Sequence, residues 1–209
     1  YQEPYAKPVE KTRHWAHTNR HIGLIETIRR VHPTILIGTS TDHDAFTQQV
    51  VEEMCQEVER PIIMPLSNPT EKIEAMPADV IAWSKGKALV SVGIPVAPFH
   101  YEGTRYEIGQ GNNALLYPGL GLGVIVSGAE RVSARMIRAA AEAVASQVDP
   151  RPAGSSLLPA VENLRASSAT VAVAVVQAAI EEGLATKKPS NVVQAVQDAM
   201  WWPHYPPVG

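Results

Sequence analysis

Apolar and polar positions along the first half of the chain follow two rhythms. From Ile22 to Val31, Leu24, Ile25 and Ile28 recur at helical spacing, and Pro33 closes the run. Thr34-Ile35-Leu36-Ile37-Gly38 is then a short β-rich apolar run that ends at glycine. A Ser/Thr/Asp cluster follows, after which Phe46, Val50, Met54 and Val58 come every fourth residue. That order predicts strand, loop, helix. Pro61 to Leu66 repeats the strand signal and stops at Ser67-Asn68-Pro69-Thr70; a polar helical pattern covers about 77 to 84, and Ala88 to Val92 is a third run ending at Gly93. Apolar strands separated by helices predict a parallel sheet with right-handed crossovers, each strand buried on both sides. Ligands of such sheets bind beyond the carboxyl ends of the strands, where the loops Gly38–Thr41, Ser67–Thr70 and Gly93–Pro95 fall.

After residue 118 the pattern is helical only. Pro118 suits a first helical turn; Met136, Ile137, Ala140 and Val144 make one face, Val161 to Ile180 is a third helix, and Val192, Val193, Val196 and Met200 mark a fourth. The Gly/Ser/Pro-rich stretch from Pro150 to Pro159 joins two of these helices. The expectation is an α/β fold, a partial parallel sheet with helices on both faces and a helical C-terminal layer. Its parts are a polar connector over residues 1–20, a sheet-bearing segment over 21–125 and the helical layer over 126–209.

Composition narrows the function classes. A chain of 209 residues with 45% hydrophobic content supports one sizeable core. A net charge of −3 offers no basic field for nucleic acid or anionic lipid. Ala169 to Ile180, the longest apolar stretch, falls short of the roughly 20 residues a membrane span needs and reads as a buried helix. Cys55 is the sole cysteine, which excludes an internal disulfide and fits a reducing, cytoplasmic compartment. The opening Tyr1-Gln2-Glu3-Pro4, without Met or signal segment, reads as a cut inside a longer sequence.

Several residues could carry chemistry. Asn68 stands between a strand end and Pro69, so its amide either serves a ligand or closes a local Asx turn. Asn112 and Asn113 follow Ile108-Gly109-Gln110-Gly111 at the mouth of an apolar segment, with the same two readings open. Gly119, Gly121 and Gly123 lack the G-x-G-x-x-G spacing of a phosphate loop and predict close helix packing. Asp42-His43-Asp44 could ligate a cation but is expected to cap the following helix. His14, His17 and His21 could chelate zinc, yet they lie in the polar connector with no carboxylate or cysteine companion and read as solvated. There is no G-x-S-x-G, and Cys55 falls on an apolar helix face, so a hydrolytic triad has no support.

Four segments, Pro33–Thr41, Pro65–Thr70, Gly109–Asn113 and Tyr117–Gly123, occur in the order and spacing seen in malic enzymes. The chain resembles that family over nearly its whole length, least in residues 1–20, and matches the C-terminal part of its NAD-binding domain. Thr39-Ser40-Thr41, Gly93-Ile94-Pro95 and Tyr117-Pro118 resemble bacterial malolactic enzymes more than oxidative malic enzymes. The resemblance implies a partial Rossmann-like sheet and a malate-decarboxylating parent that uses NAD and Mn²⁺ or Mg²⁺. It implies that Asn68 and Asn113, with Asn112 beside them, contact malate. By the same likeness Gly38, Thr39, Ser40 and Thr41, together with Asn68, Gly93 and Asn113, would lie along NAD; the common location of Asn68, Gly93 and Asn113 after apolar runs predicts that they face one crevice. Neutral amides would hold malate oxygens without competing for the metal, which would act as a Lewis acid.

The family's catalytic Tyr and Lys, substrate Arg, Glu-Asp-Asp metal ligands and Gly-rich pyrophosphate turn all precede the matched region. No residue of this chain takes a catalytic or metal-ligand role on that likeness, and the isolated chain is expected to be inactive. A homo-oligomer is expected too, because the seam where further strands would pair should be apolar. The competing expectation is a stand-alone dinucleotide-binding domain without chemistry, told apart by whether the native reading frame carries the missing motifs.

Overall fold

A computed structural model describes residues 4, 6–15 and 21–202. The chain divides into two compact units, Tyr1–Val90 and Ser91–Gly209. In the first, helix α1 (Val9–Thr12) is a single turn, and α2 (Leu24–Val31) leads to β1 (Ile35–Gly38). Helix α2 ends at His32 in the left-handed region, whose N–H donates to the Ile28 carbonyl at 2.8 Å. Then come α3 (Gln48–Glu57), β2 (Ile62–Pro65), a 3₁₀ turn over Thr70–Lys72, α4 (Pro77–Trp83) and β3 (Leu89–Val92). β1 pairs parallel with β2, Ile35 opposite Ile62 and Gly38 opposite Pro65, and β2 pairs parallel with the start of β3. The parallel α/β order read from the sequence is therefore present. Val50, Val51 and Met54 of α3, Ile63 of β2 and Val80 and Ile81 of α4 are buried in this unit's core.

Two expectations for this unit need correction. β1 is not buried on both sides, because Ile35 and Ile37 are 49% and 57% exposed while Gly38, two residues beyond Leu36 on the alternate face, is buried. Nor does Asp42-His43-Asp44 cap α3. Thr47 does, its Oγ1 accepting the Val50 N–H at 3.4 Å, while Asp44 lies a turn earlier at φ 58°. A helix takes the cap nearest its first turn. His17 lies outside the described residues.

In the second unit the end of β3 pairs parallel with β6 (Gly109–Gln110), Ser91 opposite Gly109. Between them is an antiparallel hairpin, β4 (Phe99–Tyr101) and β5 (Thr104–Tyr106), that periodicity did not predict. Each strand has three residues, too few to show an alternation, and Phe99 stacks on Tyr106 at 5.8 Å. A 3₁₀ turn over Asn113–Leu115 leads into α5 (Tyr117–Ser127), α6 (Ala134–Ala145), α7 (Leu164–Glu181) and α8 (Val192–Ala199). The helical layer is as expected. A side chain on Gly119 would meet Val171 Cβ at 2.5 Å and one on Gly123 would meet Val175 Cβ at 2.6 Å. These two glycines let α5 lie against α7, as the Gly-Leu-Gly-Leu-Gly spacing predicted; Gly121 faces open space and has no such reason.

Helix α7, with the 3₁₀ turn before it, is long and apolar enough to cross a membrane, which corrects the shorter estimate from sequence. Yet Val171, Ala172, Val175, Val176 and Ala179 have no exposure, packed with residues of α5, α6 and α8. Tertiary burial of that kind marks the centre of a helical layer.

Candidate functional site

The two strand-end loops of the first unit meet on one carboxylate. Glu74 stands between the Thr70–Lys72 turn and α4 with 0% exposure. Its Oε1 accepts the Ser40 N–H and the Ser40 hydroxyl, both at 2.8 Å, and the Ser67 hydroxyl at 2.5 Å. Oε2 accepts the Ser67 N–H at 3.3 Å. Ser67 Oγ in turn accepts the Thr41 N–H at 2.9 Å, and Ser40 Oγ accepts the Asp42 N–H at 3.1 Å. Every partner of the carboxylate donates, so the ionised form is the one that satisfies this cage. Burial pushes the Glu74 carboxyl up, but the hydrogen bonds from Ser67 and Ser40 outweigh it and hold the group below the usual carboxylate range.

The main chain ties the same pieces together. Asp44 N–H donates to the Ile73 carbonyl at 3.1 Å, Phe46 N–H to the Glu74 carbonyl at 2.9 Å and Leu66 N–H to the Gly38 carbonyl at 2.9 Å. Gly38 is required by close approach. A Cβ there would stand 2.6 Å from Glu74 Cδ. Asn68 follows Ser67 directly and is exposed, joined to Pro69 by a cis peptide bond. Thr39, Ser40 and Thr41 are exposed as well, Thr41 at φ 59°. The structure therefore brings Gly38–Thr41 and Asn68 together around Glu74, which sequence reasoning missed. The available signal was a lone carboxylate between Ile73 and Ala75-Met76, just past Ser-Asn-Pro-Thr, since a charge inside an apolar run must find partners.

In the second unit the predicted residues sit on loops held by neutral groups. Gly93 is buried after β3, and its carbonyl accepts Gln110 Nε2 at 3.2 Å. Gly111 N–H donates to the Val92 carbonyl at 2.7 Å and Ser91 Oγ to the Gly109 carbonyl at 2.8 Å. These bonds place Gly93 beside the Gln110–Asn113 segment. Asn112 Oδ1 accepts the Ala114 N–H at 2.9 Å and caps the 3₁₀ turn, so that oxygen serves the turn; Asn112 and Asn113 are both exposed. A cleft of about 560 Å³ opens beside this segment, with Pro95, Gln110, Gln147 and Asn163 among its walls. A larger groove of about 1010 Å³ runs along α6 and α7 and contains none of the predicted residues. Its walls include Arg135, ion-paired with Glu181, and Arg138, ion-paired with Glu142.

What can these residues hold? Exposed loops with amides and hydroxyls at strand ends fit part of a polar ligand such as a dinucleotide. They do not fit a divalent cation: among the described residues no group of three or more His, Cys, Asp or Glu could hold one. Burial pushes the Cys55 thiol up, which leaves it a poor nucleophile. The site so defined is that of a parallel α/β domain whose strand-end loops present neutral polar groups.

Comparison with known proteins gives the family. The profile described as "Malic enzyme, NAD binding domain" matches residues 1–180, and the chain belongs to the malic enzyme family, within its NAD-binding domain. It is 47% identical to NAD-dependent malic enzyme 3 of Bacillus subtilis, over 100% of this chain and 37% of that protein. It is 44% identical to the malolactic enzyme of Lactococcus lactis, over 98% of this chain and again 37% of that one. The crystal structure of malic enzyme from Pyrococcus horikoshii superposes with a TM-score of 0.66 and 26% identity, over 85% of this chain and 36% of that chain. The chain thus spans little more than a third of the length of these relatives.

Proposed function

We propose that this chain is the C-terminal part of the NAD-binding domain of a malate-decarboxylating enzyme and contributes substrate and cofactor contacts to it. The observation that carries the reading is the exposed Asn68 on a loop clamped from behind by Glu74, in a chain matched along its whole length by malic and malolactic enzymes. On this reading residues 21–125 form the cofactor-facing part, 126–209 its helical layer and 1–20 a connector. Asn68 and Asn113 donate amide N–H groups to malate oxygens, with Asn112 as a further contact, and Gly93 approaches the dinucleotide. Gly38, Thr39, Ser40 and Thr41 lie along the dinucleotide. NAD supplies the hydride acceptor. A Mn²⁺ or Mg²⁺ ion is held, on this reading, by residues outside this chain.

The chain's own task is orientation. Amides fixed on strand-end loops hold a hydroxy-dicarboxylate in a near-attack geometry, and neutral donors do so without drawing the cation away. The product would be lactate if a bound dinucleotide were kept to reduce pyruvate, and pyruvate if it were released first. The protein is read as a cytoplasmic homo-oligomer, since β1 pairs with β2 on one side and offers its other edge for pairing.

The test assays this chain alone and within a polypeptide that carries the upstream family motifs, with malate, NAD and Mn²⁺, following lactate, pyruvate and CO₂ together. Turnover is expected only in the longer protein. Dinucleotide binding without turnover in both would favour a binding domain instead. Turnover by the chain alone at a full-length rate would mean that the catalytic groups are within these residues.

A further inference from the structure

Glu74 has no part in the contacts assigned above, yet it is the one carboxylate buried without exposure among the described residues. Ionising a carboxylate in a core is costly, and an apolar side chain of similar volume would serve packing at least as well. Its side-chain bonds to other residues, among those described, run to Ser40 and Ser67, one residue in each strand-end loop. Ser67 Oγ then passes the restraint on to the Thr41 N–H, so the two loops are bridged through this hydroxyl as well as through the carboxylate. Gly38 is left without a side chain where that carboxylate lies beneath it.

We propose that Glu74 is a positioning residue of the candidate site: its carboxylate locks the Gly38–Thr41 loop to the Ser67–Asn68 loop and so sets where the Asn68 amide meets the ligand. This deepens the malate-decarboxylating reading and rests on it for the identity of the ligand. Glu74 touches neither substrate nor cofactor. It acts through Ser40 and Ser67, whose donors need an anion to converge on. Glutamine in its place keeps the volume but sets an NH₂ against a donor whichever way the amide is turned: against Ser67 N–H on one side, or against the Ser40 and Ser67 donors on the other.

The experiment uses the full-length polypeptide carrying this chain, wild type and Glu74→Gln, with three readouts: amide exchange at Ser40, Thr41 and Ser67, NADH affinity, and steady-state kinetics with malate, NAD and Mn²⁺. Folded E74Q is expected to exchange those amides at least tenfold faster and to raise KM for malate about tenfold while kcat falls less, with Glu74→Asp recovering part of both. Unchanged exchange and a KM within twofold of wild type, in protein unfolding at the wild-type temperature, would overturn the proposal. Should E74Q fail to fold, Ser40→Ala takes its place, since it removes one donor from an exposed residue. Threefold faster exchange at Thr41 with a raised KM supports the role, and wild-type values in S40A sink it. If the wild-type protein shows no turnover of malate, the decarboxylating reading fails, and the exchange rates still judge Glu74.

Discussion

The loops of the first unit converge on one buried anion, whereas those of the second are held by separate neutral bonds. Ser40 and Ser67 both depend on Glu74, and Thr41 depends on Ser67. In the second unit Ser91, Gln110 and Asn112 each satisfy a different backbone group. Hydrogen bonds to a charged acceptor are roughly twice as strong as neutral ones, but gathering them on one carboxylate makes the loop geometry hostage to that group. Distributed neutral bonds are weaker and fail one at a time. Loss of loop order is therefore concentrated at a single position in the first unit and spread over several in the second.

The largest expected effect lies in catalysis on the neutral side. In the full-length enzyme Asn113→Ala should cost roughly 2 to 4 kcal/mol of transition-state stabilisation if its amide bonds a charged substrate oxygen. Steady-state kinetics on folded protein check it, and an unchanged kcat/KM for malate would take Asn113 out of the site. Next comes Gly38→Ala, which drives a methyl group against Glu74 and should destabilise the fold by about 1 to 3 kcal/mol, measured by urea denaturation. A loss confined to a few tenths would show that the carboxylate is free to move, and the contrast between the units would weaken.

Ser91→Ala tests the other side, removing one neutral bond to the Gly109 carbonyl at an expected cost of about 1 kcal/mol, with little change at its neighbours. A cost like that of Gly38→Ala would erase the distinction. Acid titration supplies a fourth check. Glu74 has a folded pKa below its unfolded value of about 4.3, so its stabilisation is complete above that value and is lost as pH falls through the folded pKa. The acid limb of the stability curve should therefore be shallower in Glu74→Gln than in wild type, with parallel curves above about pH 5.5. Identical acid limbs would mean that the carboxylate is not held ionised. The smallest effect belongs to Arg138→Ala, whose exposed pair with Glu142 should leave the midpoint of thermal melts essentially unmoved.

Much of the fold was legible because it rests on short-range pattern. The helical runs from Met136, Val161 and Val192, the strands ending at Gly38, Pro65 and Val92, and the close packing of Gly119 and Gly123 all follow from residue spacing and side-chain size. The predicted loops, and Asn68 on one of them, were legible for the same reason: strand ends in a parallel sheet are where ligands bind. The hairpin at Phe99–Tyr106 was not, because three-residue strands carry no period. The cap of α3 was misplaced because Asp42, Asp44 and Thr47 all qualify by residue type, and only the chain's path decides which oxygen reaches the Val50 N–H.

Spacing and motif alone thus carry the parallel α/β order, the family to which those four motifs belong and the placing of Asn68 just past a strand end. The tertiary structure alone decided that Glu74 is buried, that Ser40 and Ser67 share it across 34 and 7 residues of chain, and that Ile35 and Ile37 stand open on β1. The physical reason is range. Helix and strand periods are properties of neighbouring residues, but the partners of a buried charge and the cover over a sheet face are set by segments that meet only when the chain has folded.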